Sequence, residues 1–186
     1  FPHWPQDEVP VGYVTNGVHV PSWDSLFADA MWTEACGKSR WRGTLETTED
    51  DLRKLPDETL WGLRTQCRQQ MIMFIRQRLM RQHRGRGATQ ERIRECSEFL
   101  DPDILTLGFA RRFAEYKRSH LLLSDLEALD QLVNNPQAPV QILFAGKAHP
   151  ADRPGQNLIR EISLSSQSPD WKGRIHFIEN YDMRIA

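Results

Sequence analysis

Three cations fall within seven residues of the stretch Leu107–Arg118 (L-G-F-A-R-R-F-A-E-Y-K-R): Arg111, Arg112 and Lys117. Two planar guanidinium forks and an ammonium match the oxygens of a phosphate. The apolar run Ile104–Leu107 precedes them and has strand length. The expected order is strand, short turn, helix. A helix start offers free backbone N–H groups and the positive end of a dipole, so it attracts anions before any side chain is counted. A surface helix gains little from three like charges so close together, and the cluster therefore predicts a phosphate site.

The elements that would position this cluster follow from apolar periodicity. Val11–Val14 suggests a brief strand before Thr15-Asn16-Gly17, and Trp23–Ala35 a helix. Thr47 or Thr48, ahead of Glu49, Asp50 and Asp51, predicts a capped helix start, and Pro56-Asp57 another. Leu60, Leu63, Cys67, Met71, Phe74, Ile75 and Leu79 recur at three- and four-residue steps, which predicts one long helix ending at Gly85-Arg86-Gly87. A further helix is expected over Thr89–Phe99. Beyond Pro102 the pattern changes. Apolar runs at 104–109, 140–144 and 174–178 alternate with helical stretches at 121–133 and 157–164. Unbroken apolar strands between helices predict an α/β fold with a parallel, Rossmann-like sheet covered on both faces. Ligands of such sheets bind beyond the carboxyl ends of the strands. Three polar sets follow the three runs: Arg111/Arg112, Gly146/Lys147/His149 and Glu179/Asn180/Tyr181. Order alone therefore predicts three walls of one site.

Composition narrows the classes. With 24 Lys and Arg against 25 Asp and Glu, the net charge of −1 does not suggest a nucleic-acid binder. Nine Arg between Arg64 and Arg94 face a single acid, Glu91. No aromatic residues interleave with them as a nucleic-acid surface requires, so a solvated or interdomain face is expected. Cys36, Cys67 and Cys96 are widely spaced and include no C-x-x-C pair, which predicts neither a disulfide framework nor a metal site and favours a reducing, cytoplasmic setting. No run approaches the ~20 apolar residues of a membrane span. The chain opens at Phe1-Pro2-His3-Trp4 and closes at Arg184-Ile185-Ala186, and a fragment of a longer protein is expected.

Four motifs then bring a family into view. G-F-A-R-R-F-A-E-Y-K-R (108–118), F-A-G-K-A-H-P-A-D (144–152), H-F-I-E-N-Y-D-M (176–183) and T-N-G-V-H-V-P-S-W (15–23) resemble, in order, segments of the α-glucan phosphorylases, with a flavour of their shorter bacterial and archaeal branch. The resemblance implies part of the C-terminal domain of a glycosyltransferase B-type fold. It would comprise a connecting segment (1–23), a helical part (24–100) and an incomplete Rossmann-like βαβ part (101–186). It implies reversible phosphorolysis of α-1,4-glucan to glucose 1-phosphate with pyridoxal phosphate as cofactor. Position by position, it implies that Arg112 and Lys117 hold the substrate phosphate. It implies that Asn16 and Tyr116 approach the sugar, and that Arg111 and Tyr181 lie against the cofactor. Ala114 stands where the vertebrate pattern has His. The family's cofactor-bearing lysine should follow Tyr181, beyond Ala186, so the isolated segment is expected to be inactive. Oligomeric state stays open, a homo-oligomer included.

Two rival readings carry other tests. A nucleotide-sugar glucan synthase of the same fold would place Arg and Lys at a similar junction. A non-enzymatic binding fragment would use the Arg-rich helix to dock an acidic partner. Glu115 and Glu179 resemble a glycosidase pair only by residue type.

Overall fold

A computed structural model describes residues 1–42, 45–171 and 173–185. Two compact units divide the chain at Arg64 and Thr65. In the first unit, α1 spans Val20–Trp23, α2 Leu26–Cys36 and α3 Leu45–Leu52, and α4 (Asp57–Gly85) begins. Ser25 caps α2 by accepting from Ala28 N at 3.1 Å. Arg40 is the buried side chain among this unit's described residues. Its guanidinium donates to Thr33 Oγ1 at 2.8 Å and to Asp29, and lies 4.0 Å from the Trp41 ring centre.

Two expectations fail in this unit. Val11–Val14 forms no strand: Val11 N bonds Val9 O at 2.7 Å, and Val14 is fully exposed. A strand without a sheet neighbour has nothing to satisfy its backbone groups. Nor does Thr47 or Thr48 begin a helix. The strong helix formers Leu45 and Glu46 carry α3 upstream of both.

The second unit holds the sheet. Strands β1 (Leu105–Ala110), β2 (Val140–Ala145) and β3 (Ile175–Ile178) lie side by side in that order, all parallel. Leu105 pairs with Val140 through to Ala110 with Ala145, and Ile142 with Ile175 through to Ala145 with Ile178. Alternate residues face opposite layers. Val140, Ile142, Phe144, Ile175 and Phe177 pack with Phe113, with Leu129 and Val133 of α6 (Leu126–Val133), and with Ile162 of α7 (Arg153–Ser165). Leu143, Ala145 and Ile178 pack against Ile72, Ile75 and Leu79 of α4 and against Cys96, which follows α5 (Gln90–Glu95). A small α/β unit with flanking helices is thus present, as the alternation of runs predicts.

Differences from the expected elements have local causes. The buried stripe of α4 runs through Ile72, while Met71 is exposed. Every residue of β2 and β3 is buried, but Leu105 and Leu107 of β1 are exposed: β1 and β3 are both edges of the described sheet, and of the two only β3 contributes buried residues to the core clusters. The helix expected from Leu121 starts at Leu126 instead, since Asp125 caps it through Ala128 N at 2.9 Å. Asp152 caps α7 four residues ahead of the expected start, accepting from Gly155 N at 3.0 Å. The helix after Thr89 stops at Glu95, ahead of Leu100 with its φ of 63°. Gln141, 1% exposed inside β2, has an amide bonded to Asp101 N (2.8 Å), Asp101 O (2.7 Å) and Thr106 Oγ1 (2.7 Å). It ties the loop ahead of β1 to the sheet.

Candidate functional site

Three parallel strands place their carboxyl ends on one edge, and the expected polar sets follow there. The β1–β2 ladder continues past the strands, with Arg111 N bonded to Ala145 O at 3.1 Å and Phe113 N to Lys147 O at 2.9 Å. Tyr181 Oη donates to Ala110 O at 3.2 Å, tying the end of the third strand to that of the first. A cavity of about 530 Å³ opens at the ends of β2 and β3, with Gly146, Lys147, Gln156, Arg160, Glu179 and Asn180 in its lining.

No α-helix starts directly after β1, contrary to expectation. A single 3-10 turn, Glu115–Lys117, comes next, and Arg118 after it adopts a left-handed φ of 52°. The helix-dipole contribution expected at this junction is therefore absent. The α-helix that does start after β2, α7, has its N-terminus already occupied by the Asp152 carboxylate. Positive charge at this edge comes from side chains alone. Arg111 and Arg112 are exposed and make no side-chain hydrogen bond or ion pair among the described residues. Lys117 Nζ sits 4.7 Å from the Tyr116 ring centre, and that ring is exposed.

What holds the cations in place is an apolar anchor that the sequence reading passed over. Phe113, 1% exposed, is buried in the core directly after Arg112. A Cβ on Gly146 would stand 2.1 Å from Arg111 O and 2.4 Å from the Phe113 ring, and one on Gly155 would stand 2.5 Å from Phe113 O. Both glycines are needed for this close approach. An apolar residue directly after two charges, with glycines following the next strand, is the signal that could have found it. Ser119, 2% exposed, has a hydroxyl without a partner among the described residues.

The other candidates are placed as follows. Asn16 lies in the first unit, exposed and without regular secondary structure. His149 Nδ1 accepts from Ala151 N at 3.1 Å in a turn. Glu179 is in an ion pair with Arg86, which engages it in the fold. Burial holds the His176 imidazole down at about 4, with Arg92 and His83 acting in the same direction and its bond to Gly173 O opposing them. Among the described residues no cluster of His, Cys, Asp and Glu could hold a metal ion, and no helix is long and apolar enough to cross a membrane.

The arginine-rich stretch, expected as a solvated or interdomain face, is solvated in part: Arg64, Arg81, Arg84, Arg86, Arg92 and Arg94 are exposed, while several of its guanidiniums are bonded within the fold. Arg76 donates to Phe99 O and Leu100 O, both at 2.7 Å, and Arg78 to Asn180 O at 2.9 Å. Arg92 pairs with Glu95 at 2.6 Å. Arg76 and Arg78 thus satisfy carbonyls of their own unit and Arg92 a carboxylate, and donors engaged in this way are less available to an outside polyanion.

The chain is 39% identical over 184 residues to the maltodextrin phosphorylase of Thermococcus litoralis, a match covering 98% of this chain and 21% of that protein. It is 37% identical to the glycogen phosphorylase of Aquifex aeolicus, over 97% of this chain and 26% of that one, and 38% identical to that of Mycobacterium tuberculosis, over 97% and 21%. It thus spans about a fifth to a quarter of the length of these relatives. No family model and no solved structure matches it. Over 97–98% of its length, the chain is homologous to a segment of the glycogen and maltodextrin phosphorylases.

Proposed function

We propose that this chain supplies the phosphate-holding wall of an α-1,4-glucan phosphorylase, which releases glucose 1-phosphate from glucan and orthophosphate. The observation that carries this reading is the pair Arg111 and Arg112, unengaged at the carboxyl edge of a parallel sheet. Arg112 and Lys117 hold the substrate phosphate, and each charge-assisted contact contributes roughly 1.5–3 kcal/mol. Asn16 and Tyr116 approach the glucosyl hydroxyls. Turnover, glucan binding and the glycosyltransferase B-type cleft are proposed for the whole enzyme. In it, 1–23 connects to the other half, 24–100 is the helical part and 101–186 the βαβ part. Cys36, Cys67 and Cys96 form no disulfide among the described residues, which supports a reducing, cytoplasmic setting.

Pyridoxal phosphate is the cofactor that this family membership suggests, and the side chains present fit its phosphate end. Arg111 has its donors unengaged, and Tyr181 is fixed at the same edge by its bond to Ala110 O. When bound, the cofactor would supply a phosphate able to exchange a proton with the substrate phosphate. Arg111 would neutralise that dianion beside a second one held by Arg112 and Lys117. Without cations between them, two such groups repel.

The test is product analysis with a full-length protein carrying this segment. Incubation with maltodextrin and orthophosphate should release glucose 1-phosphate in proportion to the phosphate consumed. Glucan extension from a nucleotide-sugar, with no phosphate dependence, would overturn the reading in favour of a synthase.

A further inference from the structure

Arg78 and Gln82 on one face of α4, and Arg86 just past its end, stand at four-residue steps, and all three reach the chain that leaves β3. The Gln82 amide makes two bonds to one stretch of backbone. Its Nε2 donates to Phe177 O at 3.1 Å, and its Oε1 accepts from Glu179 N at 3.0 Å. This is the pattern that a neighbouring strand would offer, supplied by a side chain at the edge of the sheet. Arg78 donates to the next two carbonyls, Glu179 O at 3.4 Å and Asn180 O at 2.9 Å. Arg86 pairs with the Glu179 carboxylate. Asn180, between these contacts and Tyr181, has a φ of 56°. A non-glycine residue in that region persists only where its surroundings hold it. Tyr181 then swings across to bond Ala110 O, one residue before Arg111.

We infer that Gln82 and Arg78 are positioning residues: they fix the Glu179-Asn180 turn and thereby hold Tyr181 at the carboxyl edge beside the Arg111–Arg112 pair. Neither touches a reacting atom. Their action on a ligand rests on the phosphate-site reading above, whereas their action on Tyr181 does not. The geometry explains why a polar residue stands at position 82 on a helix whose neighbouring positions 72, 75 and 79 are apolar and buried.

The chain has three tyrosines, Tyr13, Tyr116 and Tyr181. Ring resonances of 13C-tyrosine-labelled chain therefore report Tyr181 beside two internal controls. Gln82→Leu removes both amide bonds at similar size. Gln82→Glu keeps the acceptor for Glu179 N and loses the donor to Phe177 O. The Tyr181 resonance should shift most in Gln82→Leu, less in Gln82→Glu, and also in Arg78→Met, while Tyr13 and Tyr116 stay in place. Inorganic phosphate titrated into the same samples should bind at least about threefold more weakly to Gln82→Leu. An unmoved Tyr181 resonance in both Gln82→Leu and Arg78→Met overturns the inference. So does a moved Tyr181 with phosphate affinity unchanged. In that second case a parallel titration of Arg112→Gln separates the claims, because loss of phosphate binding there leaves the phosphate-site reading standing.

Discussion

Arginines occupy two regions of the second unit in opposite ways. Along α4 and the turn after it, Arg76, Arg78 and Arg86 are bonded to backbone carbonyls or a carboxylate of their own fold. At the carboxyl edge, Arg111 and Arg112 are exposed and engage none of the described residues. Several members of the richer cluster are structural, although Arg81 and Arg84 are exposed there too, whereas both side chains of the smaller one are available to a ligand. Density of charge in a sequence is therefore a poor guide to binding. Whether the donors are already satisfied decides, since a guanidinium bonded to carbonyls must break those contacts before it can hold an anion.

That contrast can be broken at several points. The largest expected loss of stability is for Gly146→Ala. Its new methyl would overlap Arg111 O and the Phe113 ring, so the substitution should destabilise by about 3 kcal/mol in urea unfolding and displace the Arg111 backbone. A comparable change is expected with pH. His176 ordinarily titrates at 6.5 when unfolded but at about 4 when folded. Between those values the unfolded chain holds more protons, so stability should fall by about 3 kcal/mol as pH drops from 6.5 through 4. Replacing His176 with Gln should flatten that part of the profile, and an unchanged slope would count against the burial argument. Arg76→Met removes donors from two carbonyls, and its unfolding free energy should fall by about 2 kcal/mol with phosphate affinity unaltered. The smallest effect belongs to Arg81→Gln. This arginine is exposed and bonds none of the described residues, so unfolding should change by less than about 0.5 kcal/mol.

Much of the sheet was legible in the sequence because strands buried on both faces are continuous apolar runs. Ile142–Ala145 and Ile175–Ile178 follow that rule closely. Their order also placed Arg111, Lys147 and Tyr181 after successive strands, and parallel pairing puts those ends on one edge. The junction after β1 was misread because capping is decided locally. Asp125 starts the helix that the apolar pattern would begin at Leu121, and what lies between is a short 3-10 helix, Leu121–Leu123, rather than α-helix. Phe113, Gln82 and the packing role of Gly146 were missed for a different reason. Each acts through contacts across the sheet or between distant segments, such as Gln82 with Phe177 and Glu179. Their spacing along the chain does not announce those contacts. The carbonyl bonds of Arg76 and Arg78 were hidden for the same reason, since a periodic pattern shows which face is charged and not what that face meets.

The account turns on the difference between an engaged and an unengaged arginine. Its most direct test is the phosphate dependence of phosphorolysis in a full-length phosphorylase carrying this segment, with Arg112→Gln and Arg76→Met measured side by side. Arg112→Gln should lower kcat/KM for phosphate by about 100-fold or more while leaving the unfolding midpoint in place. Arg76→Met should lower the midpoint and leave the phosphate dependence of the folded enzyme intact. Phosphate kinetics unchanged in Arg112→Gln, or impaired equally in both variants, would contradict the assignment of the carboxyl edge as the phosphate site.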